Sequence, residues 1–278
     1  MLKIAVIPNC LKDKDLSVTK ELVDILRGRA EIYMQETSPG IDGVNYAGDE
    51  IYSLVDVVTV IGGDGTIIAS ALECAENNVP LLGINLGRVG FMSELEVSEM
   101  KNGIDKLLSG DYTEEKRMMM DIEIVKKNGE KLKFCALNDV VVQKTGNAKL
   151  IGLDLFSDGE KISHYISDGL IVSTPTGSTG YNFSAGGPVV NPLMSLYVAT
   201  AMCPHMLGCR PAVMPAERNL VIKTDTGFNN EAIAVVDGKT VCCVENGDEI
   251  TVTKSVYETK LIKIVKRSFY DTIIEKLS

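Results

Sequence analysis

Apolar residues recur in two textures along the chain, and the change between them falls near Met118. Over the first hundred residues, short apolar runs alternate with stretches of helical spacing, the pattern of a parallel sheet with helices on its faces. Residues 4–7 predict a first strand and residues 30–34 a second. Residues 55–61 form a near-continuous apolar run, as a strand covered on both faces should, and lead straight into Gly62. Val18, Leu22, Ile25 and Leu26 fall on one helical face, with Ser17 placed as the cap. Residues 67–75 predict a helix and residues 79–84 a strand. Val97, Met100, Ile104, Leu107 and Leu108 then predict an amphipathic helix closed by Gly110-Asp111.

From Met118 the strands are short and alternating, separated by turn signals, which predicts antiparallel pairing. Asn128-Gly129 stands between residues 122–125 and 132–135 as a tight hairpin turn, and Asp158-Gly159 does the same after residues 153–156. Further strands are predicted at 140–142, 170–172, 220–222, 233–236, 241–244, 250–252 and 261–265, and a final helix at 270–277. The fold class that follows is an α/β N-terminal domain with a parallel, Rossmann-like sheet, then a mostly antiparallel all-β domain, with a C-terminal helix returning to the first. The expected domains are residues 1–115 with about 266–278, and residues 116–265.

Composition narrows the partners. No run of about eighteen apolar residues occurs, and Met1 leads directly into a strand-like segment, so a soluble cytoplasmic protein is expected. With 28 basic and 38 acidic residues the formal charge is −10, the wrong sign for gathering nucleic acid or anionic membrane by overall field. An anionic ligand would need local help from helix N-termini, backbone N–H groups, placed Arg or Lys, or a divalent metal. The seven cysteines are odd in number and form no Cys-x-x-Cys pair. They are expected to be reduced and mostly buried rather than metal-bound.

Gly62-Gly63-Asp64-Gly65-Thr66 follows a buried-type strand and opens a helix. Glycines there can take positive φ and let backbone N–H groups approach a phosphate, while the helix N-terminus adds partial positive charge. It is neither a Walker A loop nor a Gly-x-Gly-x-x-Gly fingerprint. Asp64 is the exception, because a carboxylate among phosphate-binding amides repels phosphate. It makes sense if it accepts a proton from an attacking hydroxyl or holds Mg²⁺, both of which belong to phosphoryl transfer. The alternative is a helix cap on a tight strand-to-helix turn. Downstream, Asn138-Asp139 stands in LNDVVV, and residues 167–192 read SDGLIVSTPTGSTGYNFSAGGPVVNP. Residues 174–181 are too dense in hydroxyls and glycine for an ordinary strand or helix and predict a loop facing a polar ligand. Ser178 lacks a Gly-x-Ser-x-Gly setting, which argues against a serine nucleophile.

Together these three motifs, in order and spacing, resemble the NAD kinase family along most of the chain. Diacylglycerol and sphingosine kinases and phosphofructokinases look similar only around the first motif. The resemblance implies an active site in the cleft between an α/β and a β domain. It implies Asp64 as the base that activates the 2′-hydroxyl of the NAD adenosine ribose, with Gly62, Gly63, Gly65 and Thr66 on the donor phosphates. It implies NAD contacts from Asp64, Gly65, Phe91, Asn138, Asp139, Asp168, Thr179, Gly180, Tyr181, Asn182, Phe183 and Ser184. ATP or inorganic polyphosphate is the implied donor, with a divalent metal, Mg²⁺, and the implied assembly is a homodimer or homotetramer. The residue chemistry agrees in kind: Asp139 or Asp168 can accept bonds from ribose hydroxyls, and Asn138 can give and take bonds at an adenine edge. This chain has Asp139 where many members have Glu, and Gly180 where many have Ala.

Some residues stay open. Arg88 is available for a phosphate or is a solvated loop residue, and Arg210 is a candidate or purely structural. Asp237-Gly238 is explained as well by a hairpin turn as by ligand contact. His164 reads as a satisfied polar residue, since no second metal ligand sits at a helpful spacing. The competing functions are a lipid or sugar kinase sharing the first motif, and a non-catalytic NAD or NADP sensor.

Overall fold

The structure, a computed structural model, describes residues 1–87, 90–146, 149–206, 208–224 and 232–277. The chain divides into two compact units, Met1–Lys116 with Thr259–Ser278, and Arg117–Glu258. The first carries β1 (Leu2–Pro8), α1 (Ser17–Leu26), β2 (Ala30–Gln35), β3 (Asn45–Ala47), α2 (Ile51–Leu54), β4 (Val57–Gly62), α3 (Asp64–Glu76), β5 (Leu81–Asn85), β6 (Leu95–Glu96) and α4 (Met100–Ser109). Strands lie side by side in the order β5-β4-β1-β2-β3, and every pair is parallel. Every residue of β4 is buried, which is why its sequence shows no alternation. Ile4, Val6, Leu22, Val57, Ile61 and Ile84 belong to the core that the sheet shares with its helices.

That strand order fixes where a ligand belongs. From β1 the chain builds outward through β2 and β3, then returns to the other side of β1 with β4 and β5. The order therefore reverses between β1 and β4, and in open parallel sheets ligands bind beyond the carboxyl ends at such a switch point. Asn9 and the Gly62-Gly63 turn stand at those two ends.

The cap of α1 differs from the expectation. Ser17 is already the first helical residue, and the N-cap is Leu16 at φ 56°, without a side-chain bond. Asp13 does the work instead: its carboxylate accepts Thr19 N–H at 2.9 Å, Thr19 Oγ1–H at 2.6 Å and Val18 N–H at 3.3 Å.

The second unit is antiparallel throughout its described ladders. Its elements are β7 (Thr113–Val125, entering from the first unit), β8 (Lys131–Ala136), β9 (Asp139–Lys144), β10 (Ile151–Ser157), β11 (Glu160–Ser167), β12 (Gly169–Ser173), α5 (Tyr181–Ser184), β13 (Leu196–Met202), β14 (Ala212–Pro215), β15 (Leu220–Thr224), β16 (Ala232–Val236), β17 (Lys239–Val244) and β18 (Glu249–Lys263). One sheet runs β14-β13-β12-β9-β16-β17. Asp158 and Gly159 take φ 48° and 82° between β10 and β11, the paired left-handed turn that Asp-Gly predicts. Val142, Leu155, Leu170, Tyr197 and Ile222 share one core. The strands expected at 250–252 and 261–265 are one strand, β18, which runs on through the polar residues between them, with Ser255 and Thr259 buried. β3, β6, β13 and β14 were not expected, and β11 is the return strand of the hairpin predicted at Asp158-Gly159.

The chain's end returns to the first unit. Leu261 of β18 pairs with Leu81 of β5. Buried Glu94 accepts the amides of Ile264 at 2.6 Å and Val265 at 2.5 Å and pairs with Lys263. Helix α6 (Phe269–Leu277) then sets Phe269 against Phe91, ring centroids 6.4 Å apart, and Lys276 Nζ 4.9 Å over the Phe91 ring. The cysteines correct another expectation: all seven are free thiols, but only Cys74 is fully buried, and Cys10, Cys203 and Cys243 are exposed. Cys10 and Cys203 fall in turns, and adjacent Cys242 and Cys243 on a strand must face opposite ways. Among the described residues no helix is long and apolar enough to cross a membrane, and no group of three or more His, Cys, Asp or Glu side chains is arranged for a metal.

Candidate active site

In the first unit the glycine-rich turn is a crowded corner. No glycine of the turn takes positive φ, contrary to the expectation from its sequence. Small size is what the corner requires: a Cβ at Gly62 would lie 2.4 Å from Thr66 Oγ1. That oxygen accepts Asn9 Nδ2–H at 2.9 Å, and Asn9 Oδ1 in turn accepts the amides of Leu11 and Lys12 at 3.1 and 3.2 Å. Asn9 thus ties the loop after β1 to the turn after β4, across the switch point. Lys12 Nζ would stand 3.3 Å from a Cβ at Gly63, so a cation sits beside the N-terminus of α3. Both favour an anion there.

Asp64 is the first residue of α3. Its carboxylate turns away from its own helix and accepts three consecutive amides of a later segment: Phe91 N–H at 2.8 Å, Met92 N–H at 3.2 Å and Ser93 N–H at 3.3 Å. Gly90 forms the floor, because a Cβ there would lie 1.8 Å from Asp64 Oδ1. Ser93 Oγ accepts the Gly90 amide at 2.6 Å and closes the segment on itself. Helix capping of α3 is therefore not what Asp64 does; it is a half-buried carboxylate fixed in direction by a cradle of amides.

In the second unit another carboxylate plays the corresponding part. Asp237 accepts the amides of Leu137 at 2.8 Å, Asn138 at 2.8 Å and Asp139 at 3.1 Å. It sits at φ 46° with Gly238 at φ 78°, between β16 and β17. Asp237 is thus both the hairpin turn and the clamp that sets the start of β9. Asp139 is buried, and its carboxyl is pushed from the usual 3.8 to about 7, first by burial and then by the charge of Asp237. Burial also pushes Asp237 up, opposed by its three amide bonds. Asn138 Oδ1 is buried without a hydrogen-bond partner, an acceptor left open, while its Nδ2 stands 3.8 Å from where a Cβ at Gly180 would lie.

Residues 174–181 correct the predicted loop. They form a 3-10 turn (Thr176–Thr179), and α5 follows at once. The turn sits on the backbone below it: Thr174 N–H bonds Asn138 O at 2.8 Å, Thr174 Oγ1–H bonds Leu137 O at 2.5 Å, and a Cβ at Gly177 would lie 2.3 Å from Asn138 O. Asn182 is buried with its amide spent internally, giving bonds to Ser178 O and Pro188 O at 3.1 Å each and accepting Thr200 Oγ1–H at 2.7 Å. Tyr181, Phe183 and Ser184 face outward from the same short helix. Asp168 is half-buried and pairs with Lys144 at 2.8 Å. Ser178 Oγ is held between the amide and carbonyl of Val190, as befits a structural serine.

His164 Nδ1 lies 2.7 Å from Asp154 Oδ1, on β11 and β10, a satisfied pair as the sequence suggested. Arg210 is exposed and bonds Cys209 O. Arg88 lies outside the described residues. Sequence reasoning missed Asn9, Lys12, Gly90 and Lys144, and it passed over buried Arg117, whose Nη1 is 3.5 Å from Thr176 Oγ1. A signal existed for the first two, since both stand just past the end of the central strand.

Replacing Asp237 by Gly separates turn from clamp. Glycine accepts the left-handed backbone but leaves three amides without their charged acceptor, so urea unfolding should show a loss of about 2–4 kcal/mol. A loss below about 0.5 kcal/mol would reduce Asp237 to a turn residue.

Comparison with known proteins bears on both units. The family model described as the ATP-NAD kinase N-terminal domain matches residues 9–112, and the ATP-NAD kinase C-terminal domain matches residues 137–264. The NAD kinase of Natranaerobius thermophilus is 37% identical over 282 residues, covering 100% of this chain and 98% of its own. That of Caldanaerobacter subterraneus subsp. tengcongensis is 37% identical over 283 residues, covering 100% and 99%. An NAD kinase from Archaeoglobus fulgidus, solved in complex with ATP, superposes with TM-score 0.77 at 26% identity over 99% of this chain and 98% of that one. Yeast NADH kinase, solved with NADH, shares the fold at TM-score 0.89 and 24% identity, covering 100% of this chain and 87% of that one.

Proposed function

This chain belongs to the NAD kinase family of phosphotransferases, and from that premise we propose that it transfers the terminal phosphoryl group of ATP, or of inorganic polyphosphate, to the 2′-hydroxyl of the adenosine ribose of NAD, making NADP. The observation that carries this reading is Asp64: an acid at the N-terminus of a helix, aimed by three amides and seated beside a glycine turn suited to phosphate. The hydroxyl proton passes to the Asp64 carboxylate as the 2′-oxygen bonds to phosphorus, and the bond from that phosphorus to the leaving phosphate oxygen breaks. Amides of Gly62, Gly63 and Gly65, with the Thr66 hydroxyl, take the donor phosphates.

NAD is held in this reading by Asn138, Asp139, Asp168, Thr179, Gly180, Tyr181, Phe183 and Ser184, with Gly65 and Phe91. Asn138 brings an open acceptor and Asp139 a carboxylate for ribose hydroxyls, while Asn182 serves by holding α5 in place. The donor set suits Mg²⁺ bound chiefly through phosphate oxygens and water, since Asp64 is the single carboxylate within the turn. Such a cation neutralises charge on the transferring group. We also place the enzyme in the cytoplasm as a homodimer or homotetramer, with no nucleic acid or membrane partner. Incubating the purified protein with NAD, ATP and Mg²⁺ should yield NADP; its absence with both ATP and polyphosphate overturns the proposal.

The Asp139 carboxyl gives a pH prediction. Only the ionised form accepts bonds from both ribose hydroxyls, and the group changes state near pH 7. KM for NAD should therefore fall about tenfold from pH 6 to pH 8, and Asp139→Asn should flatten that profile. The stability effect has the opposite sense: the fold holds this proton more tightly than the unfolded chain, so its contribution declines as pH rises from 3.8 to about 7.

A further inference from the structure

The segment that aims Asp64 is braced at both ends by the last residues of the chain. Its three amides are not equally secure. Met92 and Ser93 are buried, whereas Phe91, which gives the shortest bond at 2.8 Å, is only half-buried. Just past Ser93, buried Glu94 accepts the amides of Ile264 at 2.6 Å and Val265 at 2.5 Å and pairs with Lys263. At the other end the Phe91 ring meets α6, with the Phe269 ring centroid 6.4 Å away and Lys276 Nζ 4.9 Å over its face. Phe91 and Glu94 thus bracket the cradle, and the chain end grips both.

The local sequence of α6 suits that grip. Ser268 and Asp271 cap the helix reciprocally: Ser268 N–H bonds Asp271 Oδ2 at 3.0 Å, and Asp271 N–H bonds Ser268 Oγ at 3.1 Å. Phe269 and Lys276 stand two turns apart on one face, which lets both reach the same ring. A nine-residue helix does not persist alone in water, so its seat depends on what it packs against. An edge-on aromatic pair and a cation over a ring are each modest contacts, strong enough to set where a half-buried residue rests and too weak to decide whether the unit folds. A reacting group is sensitive to small displacements of that kind.

We propose that α6 is a positioning element for the base, with Phe269 and Lys276 as positioning residues that act through Phe91 on the direction of the Asp64 carboxylate. The proposal rests on the kinase reading above and deepens it. Contacts made by the last helix govern turnover and leave the affinity for the donor alone.

Lys276→Met keeps the apolar stem and removes the cation, so kcat should fall about fivefold while KM for ATP stays within about twofold. Lys276→Arg, which returns a cation to the ring, should bring kcat back to within about twofold of the wild-type value. Phe269→Leu should lose about as much as Lys276→Met, and Phe269→Tyr should not. Glu275→Gln, exposed on the same helix, is the control and should leave kcat unchanged. Gly90→Ala displaces the Asp64 carboxylate directly, so adding Lys276→Met to it should lower kcat by less than about twofold more. The chain has no tryptophan, so Phe91→Trp places a single fluorophore at the contact. In that background Lys276→Met should increase quenching of its emission by acrylamide, a reading that needs no turnover.

The proposal is overturned by unchanged kcat in Lys276→Met and Phe269→Leu, by a loss that Lys276→Arg does not restore, or by an equal loss in Glu275→Gln. Losses that multiply with Gly90→Ala, or quenching that does not respond to Lys276→Met, overturn it as well. A wild-type protein that makes no NADP defeats the kinase reading and this proposal with it, whereas unaltered turnover by the variants of an active enzyme defeats only the role of α6.

Discussion

Asp64→Asn should lower turnover by roughly 10²- to 10⁴-fold while the protein still folds and binds NAD. The substitution keeps size and position but removes the base. It also changes the cradle in a definable way. Asp64 Oδ2 accepts from Phe91 and Oδ1 from Met92 and Ser93, so a carboxamide keeps an acceptor for one side only and sets an N–H against an N–H on the other. Some loss of stability, about 1–2 kcal/mol, should accompany the loss of rate. Thermal melting and NAD titration therefore belong beside the kinetics. Near-normal turnover in a protein with loosened residues 90–93 would make Asp64 a fastener and not a base.

Gly90→Ala probes the same carboxylate from the other side and leaves its chemistry intact. The added methyl would stand 1.8 Å from Asp64 Oδ1 and 2.4 Å from its Cγ, so the carboxylate must move by an ångström or more. A displacement of that size at a reacting group costs about 10²-fold in rate. The expected result is a fall in kcat of about that magnitude with KM for NAD changed far less. Gly87→Ala is the matched control, because a Cβ there meets nothing within 4 Å. Equal loss in both variants would point to a general sensitivity of the segment; a silent Gly90→Ala would show that the observed seat of Asp64 is not the working one.

Local pattern carried the fold where one principle acted alone. β4 is apolar because both its faces are covered, and Asp158-Gly159 turns because both residues accept left-handed backbone. β13 is buried nearly as completely as β4, yet it mixes Tyr, Ala and Thr with apolar residues, so no alternation marks it. The division of the chain end into two strands failed because Ser255 and Thr259 look like breaks but are buried.

The site divides along similar lines. Asp64 and Asn138-Asp139 were legible because an acid in a phosphate-type turn and a polar pair before an apolar strand are locally odd. What fixes them was not legible. Asp64 is held by amides 27 to 29 positions later and Asn138 by a carboxylate 99 positions away. Backbone amides have no sequence identity, so only the tertiary fold reveals which ones are gathered. Gly90 illustrates the point, since in the sequence it is one of 25 glycines.

The first unit is discontinuous, and that has a consequence for biosynthesis. Its sheet takes Leu261 beside β5, its buried Glu94 takes the amides of Ile264 and Val265, and Phe91 takes Phe269. During translation the segment bearing Asp64 leaves the ribosome long before any of these partners exists. The second unit, contiguous in sequence, emerges whole in the interval and can fold first. Completion of the first unit then waits on a closure across some 170 positions, a slow, high-separation step. A nascent or prematurely terminated chain would accordingly hold its Gly-Gly-Asp-Gly-Thr turn in an unfinished sheet, so that phosphoryl transfer would wait for the completed chain.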